Sequence, residues 1–204
     1  YWLATSPAAD AITSVEVLVG TAERRAHLEA IGKSGFVPGE DGFARLHIDG
    51  EALALLPGDR FIVRGFAKSA TAGATVGGGI VLDCAPPQRR RSDPALLSEL
   101  QRLKTGDLAE GLRARIQRAG YSGCTAPDLA RETGLLPAEV DEILRGPESP
   151  GGVLEAGGHR RVDADMTHRL ETSLLASLAE FHRQEPMRPG KPRAAMRGCS
   201  LYTS

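Results

Sequence analysis

Residues 11–84 alternate between apolar and polar positions in short runs. In Thr13–Val19 every second side chain is β-branched, and these side chains share one face because strand side chains alternate with period two. Phe43–Ile48 alternates in the same way, and Phe61–Arg64 and Ile80–Asp83 are short apolar runs. Turn sequences separate the runs at Pro38–Gly42, Asp49–Gly50 and Pro57–Asp59. Short strands spaced by turns predict a small antiparallel β-barrel or sandwich.

Beyond residue 104 the spacing of apolar residues changes to that of helices. Three residues recur at intervals of four and predict a helix with one apolar stripe: Leu108, Leu112 and Ile116. Thr125 is a suitable cap for a second helix, which Gly134 ends, and Pro137 opens a third. The third helix directs apolar residues inward: Val140, Ile143 and Leu144. Val153–Val162 predicts a hairpin with a Gly-Gly turn, and helix, helix-turn-helix and hairpin in this order predict a winged helix.

A longer helix is predicted after the hairpin, from about Asp165 to Glu185-Pro186. Its apolar stripe consists of Met166, Leu170, Leu174, Leu178 and Phe181. Ala85–Arg91 holds two prolines and three arginines, and it predicts a linker because prolines end the preceding strand. The fold class is therefore multidomain β and α, with a small antiparallel β-barrel followed by a winged-helix domain. The expected parts are a barrel over 1–86, a linker and lead-in helix over 87–104, a winged helix over 105–164, and a long helix with the start of a second, truncated winged helix over 165–204.

The glycine-rich stretch GATVGGGIVLD, residues 73–83, raises the question of phosphate binding. A phosphate loop needs a strand, then glycines, then a helix whose N-terminus faces the anion. Here a predicted strand and two prolines follow the glycines, and the chain has no Gly-x-x-x-x-Gly-Lys-Ser/Thr sequence. Gly73, Gly77, Gly78 and Gly79 instead fit a structural role, in a bulge or tight crossing where a side chain would clash. We expect no nucleotide to bind to this chain by itself.

Composition and charge exclude some broad classes. The net charge is −1, with 41% hydrophobic and 25% charged residues, so the chain as a whole is not a polybasic nucleic-acid binder. Residues 1–88 hold seven basic and ten acidic residues, and 89–204 hold eighteen and sixteen, a difference too small to name a partner. The three cysteines form no Cys-x-x-Cys pair and indicate reduced thiols in a cytoplasmic protein. No apolar run reaches the roughly 18 residues of a membrane span, so we expect no membrane partner.

Candidate catalytic chemistry is absent from the sequence. The five histidines, at positions 27, 47, 159, 168 and 182, show no metal-ligand spacing. No Ser/His/Asp or Cys/His set stands out either. We expect no catalytic residue, no metal site and no cofactor in this chain, and therefore no enzyme activity of its own.

Particular blocks of sequence resemble a known family. Val19–Glu23, Leu56–Arg64 and Thr75–Asp83 resemble the third, barrel domain of translation factors of the elongation factor Tu class. Phe181–Gly190 resembles the segment that enters the second winged helix of the bacterial selenocysteine-specific elongation factor. The resemblance covers most of residues 10–198, and barrel, linker, winged helix and long helix follow in that family's order.

The resemblance implies a role in protein biosynthesis. Such factors carry a GTPase domain, which binds GTP and magnesium, and a second barrel ahead of this region, with further winged helices after it that grip an mRNA hairpin. We therefore expect a central fragment of a cytoplasmic, monomeric, RNA-binding factor. The partners implied are selenocysteyl-tRNA, the ribosome, and the mRNA hairpin through C-terminal winged helices absent from this chain. The parent would deliver the tRNA to the ribosome at recoded UGA codons, with the barrel against its acceptor and T arms.

Basic residues in three places are candidate RNA contacts, because phosphates need cations at backbone spacing. They are Arg24, Arg25, Arg64 and Lys68 in the barrel, Arg89, Arg90 and Arg91 in the linker, and Arg160 and Arg161 on the hairpin. The alternative for each is a solvated charge, or, in the linker, a flexible hinge. Neighbouring strand residues face opposite ways, so at most one of Arg160 and Arg161 is well placed for a given groove.

Two other functions remain open on the sequence. One is a winged-helix transcription regulator with a β-barrel sensor, and the other is a protein-interaction module. Glu139, Asp141 and Glu142 on the third helix of the winged helix would be repelled by DNA phosphates, which argues against the regulator and favours a spacer or protein contact.

Overall fold

A computed structural model of the chain describes residues 1–65, 71–146 and 152–191. Its strands are β1 (Ala9–Asp10), β2 (Ile12–Val19), β3 (Ala22–Ile31), β4 (Gly35–Phe36), β5 (Phe43–Ile48), β6 (Arg60–Gly65), β7 (Thr75–Ile80), β8 (Val153–Ala156) and β9 (Arg160–Asp163). Its helices are α1 (Pro94–Lys104), α2 (Leu108–Ala119), a 3₁₀ turn (Gly120–Ser122), α3 (Ala126–Thr133), α4 (Pro137–Arg145) and α5 (Ala164–Gln184). These parts form two compact units: Tyr1–Gly111 with Ala130–Leu136, and Leu112–Leu129 with the described residues from Pro137 onward.

The first unit is built on a curled antiparallel sheet of five strands in the order β5-β3-β2-β6-β7, beside a small β1-β4 pair. The alternation in β2 predicted its inner face, and Val15 and Val17 are each 1% exposed. Their neighbours in the core are Trp2, Ala26, Leu28, Val63 and Val76. Burying a Val or Leu side chain contributes about 1.5–3 kcal/mol, so this face holds the sheet in its curled form. The predicted fold class, a barrel followed by a winged-helix-like region, is confirmed.

The glycine stretch lies inside a strand, which corrects the prediction that a strand begins at Ile80. β7 runs through Gly77, Gly78 and Gly79 and pairs with β6. A Cβ atom at Gly77 would lie 2.6 Å from the carbonyl oxygen of Tyr1, and one at Gly78 would lie 2.8 Å from that of Phe61. The close approach expected for these three glycines is therefore present. Gly73 differs, because nothing lies within 4 Å of its Cβ position and its φ of +70° is what requires glycine there.

The first residues of the chain close the sheet against β7, which the sequence pattern did not reveal. Trp2 forms a bridge with Gly77, and the Leu3 amide donates to the Val76 carbonyl at 2.9 Å. The Trp2 ring is 5% exposed and stacks on Phe36, with ring centroids 5.1 Å apart. This segment satisfies an edge strand that would otherwise present unpaired backbone groups.

The helical region agrees with its pattern apart from two details. Leu112, Ile116 and Val140 are fully buried, whereas Leu108, expected on the same stripe, is 54% exposed at the start of α2. The turn of the β8–β9 hairpin has three residues instead of the Gly-Gly pair, because His159 as well as Gly158 adopts a positive φ.

Capping residues set the helix ends. Before α3, the Thr125 hydroxyl accepts a hydrogen bond from the Asp128 amide while the Asp128 carboxylate accepts one from the Thr125 amide. This reciprocal arrangement is a capping box. At the start of α5, Asp163 accepts from the Met166 amide at 3.0 Å. The apolar stripe predicted for α5 is only half-buried. No described helix is both long and apolar enough to cross a membrane.

The close contact at Gly77 gives a stability prediction. In Gly77→Ala the added methyl group collides with the Tyr1 backbone, and we expect a loss of about 1–3 kcal/mol in the free energy of unfolding. Gly42→Ala is the matched control, because its Cβ position has only ordinary contacts, the nearest at 3.7 Å, and we expect equal or slightly raised stability. Urea denaturation of both variants measures the difference, and equal midpoints would contradict the packing described here.

Candidate nucleic-acid interface

Two of the barrel arginines flank a single carboxylate. Glu16 in the central strand β2 lies opposite Arg25 of β3 on one side and opposite Arg64 of β6 on the other. Paired residues share a face, and the alternate positions Val15 and Val17 point into the core, so this row faces outward. Cross-strand pairs of opposite charge contribute roughly 0.2–1 kcal/mol each to the stability of a sheet, so both arginines help to stabilise this one.

Arg24 and Lys68 do not join that row. Arg24 pairs with Val17, which puts it on the opposite face of the sheet from Arg25 and Arg64. Its guanidinium lies 3.9 Å from the carboxylate of Glu51. Lys68 lies outside the described residues. The structure thus brings together two of the four barrel candidates.

The linker after the barrel is held by an arginine that the sequence analysis did not single out. Arg45 projects from β5, and its guanidinium donates to the carbonyl oxygens of Pro87 and Arg89, each at 3.3 Å. The same group lies 3.5 Å from the carboxylate of Glu29 on β3, and its side chain is only 10% exposed. A guanidinium has a planar fork of donors, so one side chain can bind both carbonyls and the carboxylate.

Two further contacts fix the linker. The Gly32 amide donates to the carbonyl of Arg91 at 2.8 Å. The Arg89 guanidinium lies 3.3 Å from the carboxylate of Glu99 on α1, which is buried. These contacts argue against the flexible hinge that the sequence left open as the alternative for residues 87–91. They also separate the three arginines, since Arg89 forms an internal ion pair while Arg90 and Arg91 are exposed.

Helix α1 begins where the linker ends and packs on the barrel. Asp93 caps it by accepting from the Ala95 amide at 2.9 Å. The side chain of Leu97 packs at Gly32, where a Cβ atom would lie 2.8 Å from Leu97 Cδ2. At its far end the Lys104 ammonium lies 6.0 Å from the ring centroid of Phe43, a cation–π distance. Barrel, linker and α1 thus form one continuous packed structure.

The hairpin arginines face opposite ways, as the strand period requires, but neither is free. Arg161 is 5% exposed, and its guanidinium bonds the carboxylates of Glu155 on β8 and Asp141 on α4, the latter at 2.9 Å. Arg160 is exposed, yet its guanidinium donates to the carbonyls of Ser122 and Gly123, both at 3.0 Å. Arg161 is therefore excluded as an RNA contact, and its charge ties the hairpin to α4.

Backbone bonds reinforce the same connection. The amide and carbonyl of Arg161 exchange hydrogen bonds with those of Cys124, at 2.7 and 3.1 Å. Gly123, just before, has a φ of +59°, and a Cβ atom there would lie 2.6 Å from the Arg161 carbonyl oxygen. The segment ahead of α3 thus joins the hairpin through one antiparallel bridge.

The carboxylates of α4 have different roles. Asp141 is half-buried and bonds Arg161, whereas Glu139 and Glu142 are exposed. The hydrogen bond from Arg161, and secondly that from His159, lowers the pKa of Glu155 below its ordinary value of 4.5. The outward charge of α4 is therefore acidic, as the sequence predicted.

The glycine-rich strand does not have the form of a phosphate loop. Neighbouring backbone and the Phe61 ring occupy the space beside Gly77, Gly78 and Gly79. Their strand therefore leaves no room for a phosphate. Among residues 1–65, 71–146 and 152–191, no three His, Cys, Asp or Glu side chains come together as metal ligands.

Two comparisons with known proteins bear on the family. Residues 2–88 match the family model described as the β-barrel domain of the selenocysteine-specific elongation factor. The chain is also 30% identical, over 189 residues and 90% of its length, to a selenocysteine-specific elongation factor from Desulfomicrobium baculatum. That relative is much longer, because the chain spans only 28% of it. The resemblance found from the sequence blocks is confirmed.

The buried charge of Arg161 gives a second stability prediction. Arg161→Met keeps the aliphatic stem but leaves Asp141 and Glu155 without their shared partner, and we expect a loss of about 1–3 kcal/mol of unfolding free energy. Arg160→Met, one residue away but exposed, should lose less than half as much. Chemical denaturation followed by helix ellipticity gives both values, and equal losses would show that burial of Arg161 has no special weight.

The lowered pKa of Glu155 gives a pH prediction. A carboxyl whose pKa is lower in the folded state stabilises that state above its unfolded pKa, near 4.5, and loses the contribution as the pH falls through the folded value. The melting temperature of the unaltered chain should therefore exceed that of Glu155→Gln at pH 7, and the gap should narrow below pH 4.5. Thermal melts of both chains from pH 7 to pH 3 measure it, and a gap that widens with acid would refute the assignment.

Proposed function

We propose that this chain is the central part of a selenocysteine-specific elongation factor, because residues 2–88 match the family model described as the β-barrel domain of that factor. The whole factor would deliver selenocysteyl-tRNA to the ribosome at recoded UGA codons in a GTP-dependent reaction. This chain would supply a surface for the tRNA and an arm that leads towards the part that binds the mRNA hairpin.

The order of the parts carries this proposal. A barrel that matches the family model is followed by the linker, a winged-helix-like region and a long helix, and the similarity to the Desulfomicrobium factor extends across 90% of the chain. A match confined to the barrel would leave the helical half open to other functions. The exposed acidic residues of α4, Glu139 and Glu142, further disfavour a reader of DNA grooves.

Each part has a proposed role. The barrel would lie along the acceptor and T arms of the tRNA, with the outward-facing Arg25 and Arg64 of the sheet and the exposed Arg90 and Arg91 of the linker as candidate contacts. GTP and magnesium would bind to residues of the factor that this chain does not include, so the chain would not be an enzyme by itself. It would act as a monomer in the cytoplasm.

Salt-dependent RNA binding tests the proposal. Fluorescence anisotropy with the full 204-residue chain should detect binding to selenocysteine tRNA at about 50 mM salt, weakened at about 200 mM, because phosphate contacts release counterions. An elongator tRNA should bind more weakly, because the proposal assigns the chain to a factor specific for the selenocysteine tRNA, and a random duplex DNA should bind least.

The control variant is Arg169→Gln, an exposed arginine of α5 outside the candidate contacts, which should bind like the unaltered chain. Equal binding to every nucleic acid, or tighter binding to the duplex DNA, would contradict the proposal. Tight duplex binding would favour a transcription regulator instead.

A further inference from the structure

We propose that Arg45 is a positioning residue that holds the linker so that Arg90 and Arg91 form a preorganised contact for an RNA phosphate backbone. This inference rests on the proposed function, and it adds to it which linker arginines bind and what aims them. Arg45 would not touch the RNA itself.

The backbone of the linker is held to the barrel at three carbonyl groups. The carbonyls of residues 87 and 89 both accept from Arg45, and that of residue 91 accepts from the Gly32 amide. Alternate carbonyls therefore point to the barrel along the whole segment. A backbone held at residues 87, 89 and 91 has few conformations left, which fixes the directions in which the side chains of Arg90 and Arg91 leave it.

The three arginine side chains of the linker differ in direction and exposure. Arg89 turns inward to Glu99, whereas Arg90 and Arg91 are exposed. Within the described ranges, no ion pair or hydrogen bond involves either guanidinium. Two free cations on neighbouring residues of a fixed backbone suit the regular spacing of phosphates, and a single-stranded or duplex RNA backbone presents such phosphates.

The surroundings of Arg45 suit a guanidinium better than an ammonium group. A buried cation without a partner would be costly, and here Glu29 lies 3.5 Å away and the carbonyls supply the remaining acceptors. Glu29 in turn lies 3.4 Å from His47 on the exposed side. Lysine would keep the charge beside Glu29, but it lacks the planar fork that reaches two carbonyls at once.

The test compares two changes by affinity and by salt slope, using selenocysteine tRNA and the full chain. Arg90→Gln with Arg91→Gln removes two phosphate contacts, so the loss of affinity between 50 and 200 mM salt should shrink by roughly tenfold. Arg45→Gln should lower the affinity by roughly three- to tenfold with an unchanged salt slope, because the same two cations still bind but are no longer preorganised.

Limited trypsin digestion tests, without RNA, whether the hydrogen bonds from Arg45 to the carbonyls of Pro87 and Arg89 hold the linker; these bonds are called the clamp below. Trypsin cleaves after arginine only where the backbone can open locally. Cleavage at residues 89–91 should therefore be roughly five- to tenfold faster in Arg45→Gln than in the unaltered chain or in Arg169→Gln. If Arg45→Gln fails to fold by circular dichroism, Arg45→Lys replaces it, with the same expectations for slope and cleavage.

The outcomes separate the two proposals. If Arg90→Gln with Arg91→Gln binds the tRNA with the affinity and salt slope of the unaltered chain, this inference is overturned and the proposed function stays in place. A salt slope that falls in Arg45→Gln as far as in the double variant overturns the positioning role, since Arg45 would then contact phosphate directly. No tRNA binding by the unaltered chain overturns the tRNA contact in the proposed function, and the RNA part of this inference with it. Unchanged trypsin cleavage in Arg45→Gln overturns the clamp.

Discussion

The backbone carbonyls of the segment that follows the barrel need hydrogen-bond donors, and in this protein the guanidinium of one side chain supplies them. Arg45 binds the carbonyls of Pro87 and Arg89 from the edge strand β5, with Glu29 balancing its charge. Together with the Gly32–Arg91 hydrogen bond and the Asp93 cap, this attachment leads the chain from the barrel into α1, because the linker has no regular structure of its own. A segment rich in proline and arginine is thereby made part of the folded barrel.

The same residue type has very different roles within this chain. Arg161 is buried, the side chain of Arg45 is 10% exposed, and both join elements together, whereas Arg90 and Arg91 are exposed to solvent. What distinguishes them is the position of a carboxylate: Glu29 and Asp141 lie 16 and 20 residues from their arginines, and Glu155 lies opposite Arg161 in the same hairpin. Among the described residues, Arg45 and Arg161 therefore add little to the positive charge that the surface presents to a ligand.

Local patterns were enough to predict local structure. Alternation placed Val15 and Val17 in the core, and the spacing of Leu112 and Ile116 placed them on a buried helix face, because each pattern depends only on the period of one element. The box formed by Thr125 and Asp128 is likewise contained in four residues. The contact between Trp2 and β7, the clamp at Arg45 and the burial of Arg161 join distant segments, and no periodicity records which segments meet. A strand through Gly77–Gly79 was missed for the same reason, since its stability comes from neighbours and not from its own β-propensity.

The seam between the first residues and β7 has a consequence for the synthesis of the chain. Ser6 bonds the carbonyl of Val76 across 70 residues of sequence, and closing a loop of that length costs on the order of 4 kcal/mol of chain entropy. At translation rates of roughly 5–20 residues per second, β2 and β3 leave the ribosome several seconds before β6 and β7. During that interval the hairpin of β2 and β3 exposes Val15, Val17 and Leu28 without the rest of the core. The barrel can therefore complete its fold only after β7 has emerged, as a late step in the synthesis of this part of the chain.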